Sequence, residues 1–213
     1  LVSLLQHPSL SIRTPALRVI GNIASGDESQ TQKVVDRAVP GLFSMLNSHA
    51  VSLRKEACWV FSNIAAGNKE QIQSLIDGHV LQPMQIMMMN EQFLVQKEIT
   101  WLVSNICHGG SHEQISYLCR LGFLSPVINI MTVADTCIVK LALGIADSII
   151  THCPAGKLQF EELGGVDKLQ ELQTHKNAEV YAEVMKLIET HYNEDEEVED
   201  LEGSGFTTDN MLF

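Results

Sequence analysis

The 213-residue sequence is poor in proline, with six, and in aromatic residues, which make up 6% of it. Scarce proline leaves long stretches free to be helical, because the strongest helix breaker is seldom met. There is no cluster of lysine and arginine: 14 basic residues face 26 acidic ones, for a net charge of −12. Such a chain repels phosphate backbones, which sets nucleic acid aside as a ligand and leaves a basic peptide or protein as the better match. No apolar run is long enough to span a bilayer, since Lys140 and Asp147 interrupt the most hydrophobic stretch, and no secretory leader opens the chain. A soluble protein with no membrane association is expected. The five cysteines (Cys58, Cys107, Cys119, Cys137, Cys153) are odd in number, and several fall where helices call for small apolar residues. That points to reduced thiols in cytosol or nucleus. No nucleophile motif, phosphate loop or nucleotide fingerprint appears, so an enzyme is not expected.

What is present is a hydrophobic content of 45%, enough for a substantial core. Eight of the acids lie between Glu194 and Phe213, without a single base, so the rest of the chain is only about −4. The chain thus divides into a folded body, residues 1–193, and an acidic tail, residues 194–213, with too little apolar surface to fold. It begins at Leu1, without Met and partway through a repeat, and reads as a fragment.

The organising feature is a self-match at a period of 41 to 42 residues, clearest between LRKEACWVFSNIAAG (Leu53 to Gly67) and VQKEITWLVSNICHGG (Val95 to Gly110). Lys55/Lys97, Glu56/Glu98, Trp59/Trp101, Ser62/Ser104, Asn63/Asn105 and Gly67/Gly109 coincide. An earlier copy, TPALRVIGNIASGD, supplies Asn22 and Gly26. A period of this length with helical patterning throughout predicts an all-α solenoid of armadillo or HEAT units, each needing a neighbour to bury its apolar face. Three helices per unit are predicted: Glu28 to Arg37, Val39 to Leu46 and Ser52 to Ala66, then Lys69 to Asp77, Leu81 to Met89 and Leu94 to Cys107. A short first helix ahead of two longer ones favours armadillo. Weaker units follow, from His112 to His152 and from Gly156 to Tyr192, for about four and a half repeats in a right-handed superhelix.

In each third helix Glu, Trp and Asn stand at i, i+3 and i+7 (Glu56, Trp59, Asn63; Glu98, Trp101, Asn105), which places them on one face. Third helices line the concave side of an armadillo superhelix, so the stacked faces form a ladder along a groove. An extended basic peptide suits every rung. The Asn amide offers a donor and an acceptor and reads main chain regardless of sequence. Indoles one repeat apart form slots for Lys or Arg stems, with cation–π attraction of roughly 0.5–2 kcal/mol per contact. The Glu carboxylates sharpen the preference for cations. With helices packed about 8–10 Å apart and roughly 3.3 Å per extended residue, one repeat matches two to three peptide residues.

A lone Trp in an amphipathic helix is most often core, and a lone Asn is most often solvated or capping. Their joint recurrence beside Glu and Lys favours a binding surface instead. Cys107, His108, His112 and Cys119 form the one local cluster with metal-ligand chemistry, but a helix end, a turn and an apolar stripe account for them, and no metal or cofactor is expected. Met87 to Met89, with Met84, read as core packing in a second helix.

These blocks resemble importin-α (karyopherin-α), whose third-helix pattern KEACWxxSNxxxG stands at Lys55 to Gly67 and, with Ile99 and Thr100 substituted, at Lys97 to Gly109. TPALRVIGN followed by QTQ (Gln30 to Gln32) resembles the family's sixth repeat, and the resemblance runs on to the tenth. It implies a nuclear import adaptor, shuttling between cytoplasm and nucleus, whose minor site for nuclear localisation signals falls on Asn22, Trp59, Asn63, Trp101 and Asn105. Arg18 matches the Arg that replaces Trp on the first rung, and Ser25, Thr31, Glu56 and Glu98 match positions lining that site. Glu161 to Tyr181 resembles the tenth repeat, which with the acidic tail implies a CAS-type export receptor as a partner. Importin-β would be bound only through an N-terminal segment that this sequence does not contain. In the ninth repeat Asp147 stands in place of Asn and Leu143 in place of Trp, so the ladder is expected to end after Asn105. The alternative is an armadillo scaffold for another protein partner, with the ladder vestigial.

Overall fold

The computed structural model describes residues 1–193. The acidic tail and its expected disorder lie outside the described residues. Among the described residues a 3₁₀ turn (Val2–Gln6) precedes twelve α-helices: α1 (Leu10–Ala24), α2 (Glu28–Leu46), α3 (Val51–Ala65), α4 (Lys69–Asp77), α5 (Leu81–Asn90), α6 (Phe93–Gly109), α7 (His112–Arg120), α8 (Leu124–Ile130), α9 (Thr136–His152), α10 (Gly156–Glu162), α11 (Gly165–Leu172) and α12 (Ala178–His191). Among the described residues no helix is long and apolar enough to cross a membrane.

The long helices α1, α3, α6, α9 and α12 stack in order, each packed on the next. They are the third helices of successive units, and one face of each supplies the core: Phe61, Leu53, Ile64, Ile99, Leu102, Ile106, Ala142 and Ile145 are fully buried. This continuous core has no cap between units, as expected of a solenoid in which each repeat covers its neighbour.

One boundary differs from the sequence reading. The expected pair Glu28 to Arg37 and Val39 to Leu46 is a single 19-residue helix, α2, with Pro40 inside it. In the later units the same corner is turned by a residue with positive φ: His79 at 54°, Gly122 at 79° and Gly164 at 78°. Repeat spacing puts Ala38 at this corner in the first full unit, and a Cβ-bearing residue without a polar side chain resists the left-handed region. The chain therefore continues as helix, and Pro40 removes one N–H from it without ending it.

The helices that open each full unit, α2, α4 and α7, begin with matching capping boxes: Asp27 with Gln30, Asn68 with Gln71, Ser111 with Gln114. In two of them the glutamine also reaches the previous unit. Gln71 Nε2 donates to the Glu28 carbonyl at 3.0 Å, and Gln114 Nε2 to the Lys69 carbonyl at 2.9 Å. A second inter-unit ladder is ionic: Arg54 meets Glu91, Lys97 meets Asp135, and Lys140 meets Glu179, each joining one third helix to the start of the next.

Candidate peptide-binding groove

On α3 the ladder face runs from Glu56, buried, through Trp59 and Asn63, both half-buried; on α6, Glu98 and Asn105 are half-buried and Trp101 is 37% exposed. Trp59 settles deeply because Gly21 lies beneath it on α1. A Cβ on Gly21 would stand 2.2 Å from Trp59 Cζ3. Repeat spacing gives the corresponding place under Trp101 to Ser62.

Two of the three ladder asparagines, Asn63 and Asn105, are oriented by the unit before them. Asn63 Nδ2 donates to the Gly21 carbonyl at 3.1 Å, and Asn105 Nδ2 to the Ser62 carbonyl at 2.9 Å. One amide hydrogen is thus committed, while the second and the carbonyl oxygen remain for a ligand, so the amides retain both polarities in a fixed orientation. Adjacent hollows follow the face. One of about 320 Å³ is lined by Arg18, Asn22, Lys55, Glu56, Trp59 and Glu98; the next, about 280 Å³, by Trp59, Ser62, Asn63, Glu98, Trp101 and Asn105. A third, about 450 Å³, takes in Ser25, Thr31 and Asn63. All ten residues singled out from the sequence line this one surface. Thr31 contributes little polarity, because its buried hydroxyl donates to the Ala24 carbonyl at 2.9 Å.

The acids carry partners of their own. Arg18 donates from Nε and from its terminal nitrogen to Glu56 Oε1 at 3.1 and 3.0 Å. Lys55 Nζ stands 3.6 Å from Glu98 Oε1 and 3.9 Å from Glu56 Oε1. Burial raises the Glu98 carboxyl above its ordinary value of 4.5, with Lys55 opposing the shift. Sequence reasoning missed Lys55, although the Lys55/Lys97 self-match displayed it. It also missed Gly21, for which the signal was the small residue set at the repeat spacing from Ser62.

The two positions at which the sequence departs from the ladder are both engaged within the fold. Leu143 is 1% exposed, within the core, and Asp147 Oδ1 is held by His191 Nε2 of α12 at 2.7 Å. The remaining candidates are dispersed. Among the described residues no three His, Cys, Asp or Glu side chains converge as ligands would. His112 packs its ring against His152 at 4.5 Å, and burial pushes the Cys107 thiol up to about 12. Burial, with Cys153 beside it, does the same to Cys119. Thiols this reluctant to ionise are poor nucleophiles at neutral pH. Of the methionines, Met84 and Met88 are core, whereas Met89 is 39% exposed and accepts from Asn129 Nδ2.

Comparison with known proteins bears on the fold and the family. Residues 157–204 match the atypical Arm repeat, and residues 10–76 a HEAT-like repeat. A designed armadillo repeat protein in complex with the peptide (KR)4 superposes with a TM-score of 0.81 at 34% identity, covering 88% of this chain and 79% of that one. A computationally designed armadillo repeat protein for modular peptide recognition gives 0.82 at 32% identity, with the same coverage. The fold is that of an armadillo-repeat protein. Importin subunit alpha-1b of Oryza sativa subsp. japonica is 38% identical over 210 residues, 92% of this chain, and importin subunit alpha-3 of Arabidopsis thaliana is 38% identical over 213 residues, 93% of it. The chain belongs to the importin-α family. It spans 39% and 40% of the length of those two relatives.

Proposed function

We propose that the groove binds lysine- and arginine-rich segments of other proteins, and that the chain serves as the cargo-holding part of a nuclear import adaptor working between cytoplasm and nucleus, without catalytic chemistry. The observation that carries this reading is the pair of contiguous hollows that share Trp59 and Glu98, with Asn22 lining the first and Trp101 and the oriented amides of Asn63 and Asn105 lining the second. Membership of the importin-α family supports it, as does likeness to a designed protein that holds an alternating Lys/Arg peptide. In this reading Asn22, Asn63 and Asn105 take the peptide main chain, and Trp59 and Trp101 take the cationic stems. Glu56 and Glu98 meet the charges, while Arg18, Ser25 and Thr31 shape the upstream end. The last unit, α10 to α12, is the proposed contact for an export receptor.

Fluorescence anisotropy of a labelled (KR)4 peptide, titrated with the chain at two salt concentrations, tests the reading. Saturable binding that weakens with salt is expected, together with at least about a tenfold loss in the Trp59→Ala/Trp101→Ala variant, since two cation–π contacts are removed. Equal binding by wild type and a still-folded double variant would refute it.

The raised Glu98 carboxyl adds a pH dependence. In the free groove Glu98 takes up its proton above 4.5, and a bound cation favours the charged form. Peptide affinity should therefore fall as pH drops through the range, raised by burial, in which Glu98 takes up its proton, where the peptide's own Lys and Arg keep their charge. The same titration with Glu98→Gln should be weaker at neutral pH, flatter as pH falls, and should converge on wild type once Glu98 is protonated.

A further inference from the structure

The hollow between Arg18 and Trp59 contains its own cations. Arg18 and Lys55 face Glu56 and Glu98, so two positive charges balance two negative ones in its lining. The two bases are held differently. Arg18 grips a carboxylate whose side chain is 7% exposed through two N–H bonds. Lys55 makes no bond that short: its ammonium hovers at 3.6 and 3.9 Å between two carboxylates, 34% exposed, on a flexible stem. Among the described residues it is the only cation within 4 Å of Glu98, and Glu98 lines both hollows. One repeat on, the corresponding Lys97 is drawn off to Asp135 at 2.8 Å, where it bonds outside these hollows. Lys55 alone of the two lysines is left among the groove acids.

We propose that Lys55 is a resident counter-cation, occupying the seat between Glu56 and Glu98 until the lysine or arginine of a ligand displaces it, and that its charge thereby lowers and sets the groove's affinity for basic segments. This rests on the reading of the groove as a basic-peptide site. A ligand cation entering either hollow meets Glu98 beside an ammonium of like sign, and must either displace that ammonium toward solvent or accept its repulsion. The stem of Lys55 is long and partly exposed, so displacement is feasible. While the seat is vacant of ligand, the same ammonium spares Glu98 from being an unpaired, half-buried charge.

The test uses the 213-residue chain and the labelled (KR)4 peptide at low salt, with Lys55→Met, which keeps the apolar stem, and Lys33→Met, which removes an equal charge from an exposed position outside the groove. Lys55→Met should bind about two- to fivefold tighter than wild type, and Lys33→Met should gain less than about half of that. Circular dichroism melting of each variant comes first. If Lys55→Met fails to fold, Lys55→Gln, which keeps a neutral donor near Glu98, takes its place with the same expectation. A wild type that binds alongside a Lys55 variant that binds no tighter, or no tighter than Lys33→Met, overturns the inference while leaving the groove reading intact. If no variant and no wild type binds, both fall together. Binding that appears only once Lys55 is neutral supports it.

Discussion

Replacing Gly21 with alanine is expected to weaken binding of a basic peptide about tenfold and to lower stability by about 1–2 kcal/mol, although alanine is the better helix former. Two effects oppose each other. Removing glycine from the interior of α1 contributes roughly 0.5–1 kcal/mol in favour of the helix. Against this, the new Cβ would lie 2.2, 2.7 and 2.8 Å from three carbons of the Trp59 ring, closer than atoms pack. An indole cannot bend, so the ring must swing toward the groove or α1 must move away from α3, and overpacking of this kind costs typically 1–3 kcal/mol. Swinging outward fills the hollow where a ligand stem would lie and tilts the ring face that attracts a cation. The same substitution at Gly144 in α9 should have the opposite sign. A Cβ there meets nothing within 4 Å, so Gly144→Ala should stabilise by about 0.5–1 kcal/mol and leave peptide binding unchanged. Urea unfolding and anisotropy on the two variants decide the matter. A Gly21→Ala protein as stable and as tight as Gly144→Ala would show that Trp59 is free to reposition at no cost.

How much of this was legible in the sequence depends on whether a property repeats along the chain or joins one unit to the next. The third helices and the faces bearing Glu56, Trp59 and Asn63 repeat almost letter for letter, so their position and helical phase could be read directly, and the ladder's end at Leu143 and Asp147 showed as a break in the same pattern. The continuity of α2 is hidden because Pro40 stands at the second position of the expected helix Val39 to Leu46, where proline favours a helix start. The informative residue was Ala38, standing where later units place His79, Gly122 and Gly164 in the left-handed region. Inter-unit pairs were not legible in this way. Arg54 with Glu91, and Lys97 with Asp135, are separated by 37 and 38 residues, a spacing set by how far the helices slide past one another and not by any period of the helix. The seat of Lys55 between two acids belongs to the same group, since Glu56 is its chain neighbour but Glu98 comes from the next unit.

The capping boxes lie between those cases, and they lead to the largest expected loss of stability. Asp27, Asn68 and Ser111 each precede a glutamine by three residues, a motif visible in sequence, yet only the structure shows that the glutamines do unequal work. Gln71 is wholly buried; its Oε1 accepts from the Asn68 backbone N–H at 3.2 Å, and its Nε2 spans to α2. Gln30 makes the same box at an exposed position. Gln71→Leu keeps the volume and apolar area but leaves the Asn68 N–H without its partner and removes the Gln71 bond to the Glu28 carbonyl, so that Asn68 Nδ2 to Glu28 Oε1 is left to join α4 to α2 by side chain. Each polar group stranded in this way costs about 1–3 kcal/mol, so a total of about 2–4 kcal/mol is expected. For a chain of this size that lowers the melting temperature by roughly 5–15 °C. Gln30→Leu, which strands only groups open to water, should cost less than about 1 kcal/mol. Because a solenoid is stabilised unit by unit, the lost link should also loosen the coupling between the first units and the rest. Hydrogen exchange in Gln71→Leu should then report α1 to α3 opening more readily than α6 to α9, whereas in the wild type the buried stack α1, α3, α6 and α9 exchanges together. If Gln71→Leu and Gln30→Leu melt within a degree or two of each other, the glutamine ladder is a by-product of stacking and the apolar core alone holds the units in register.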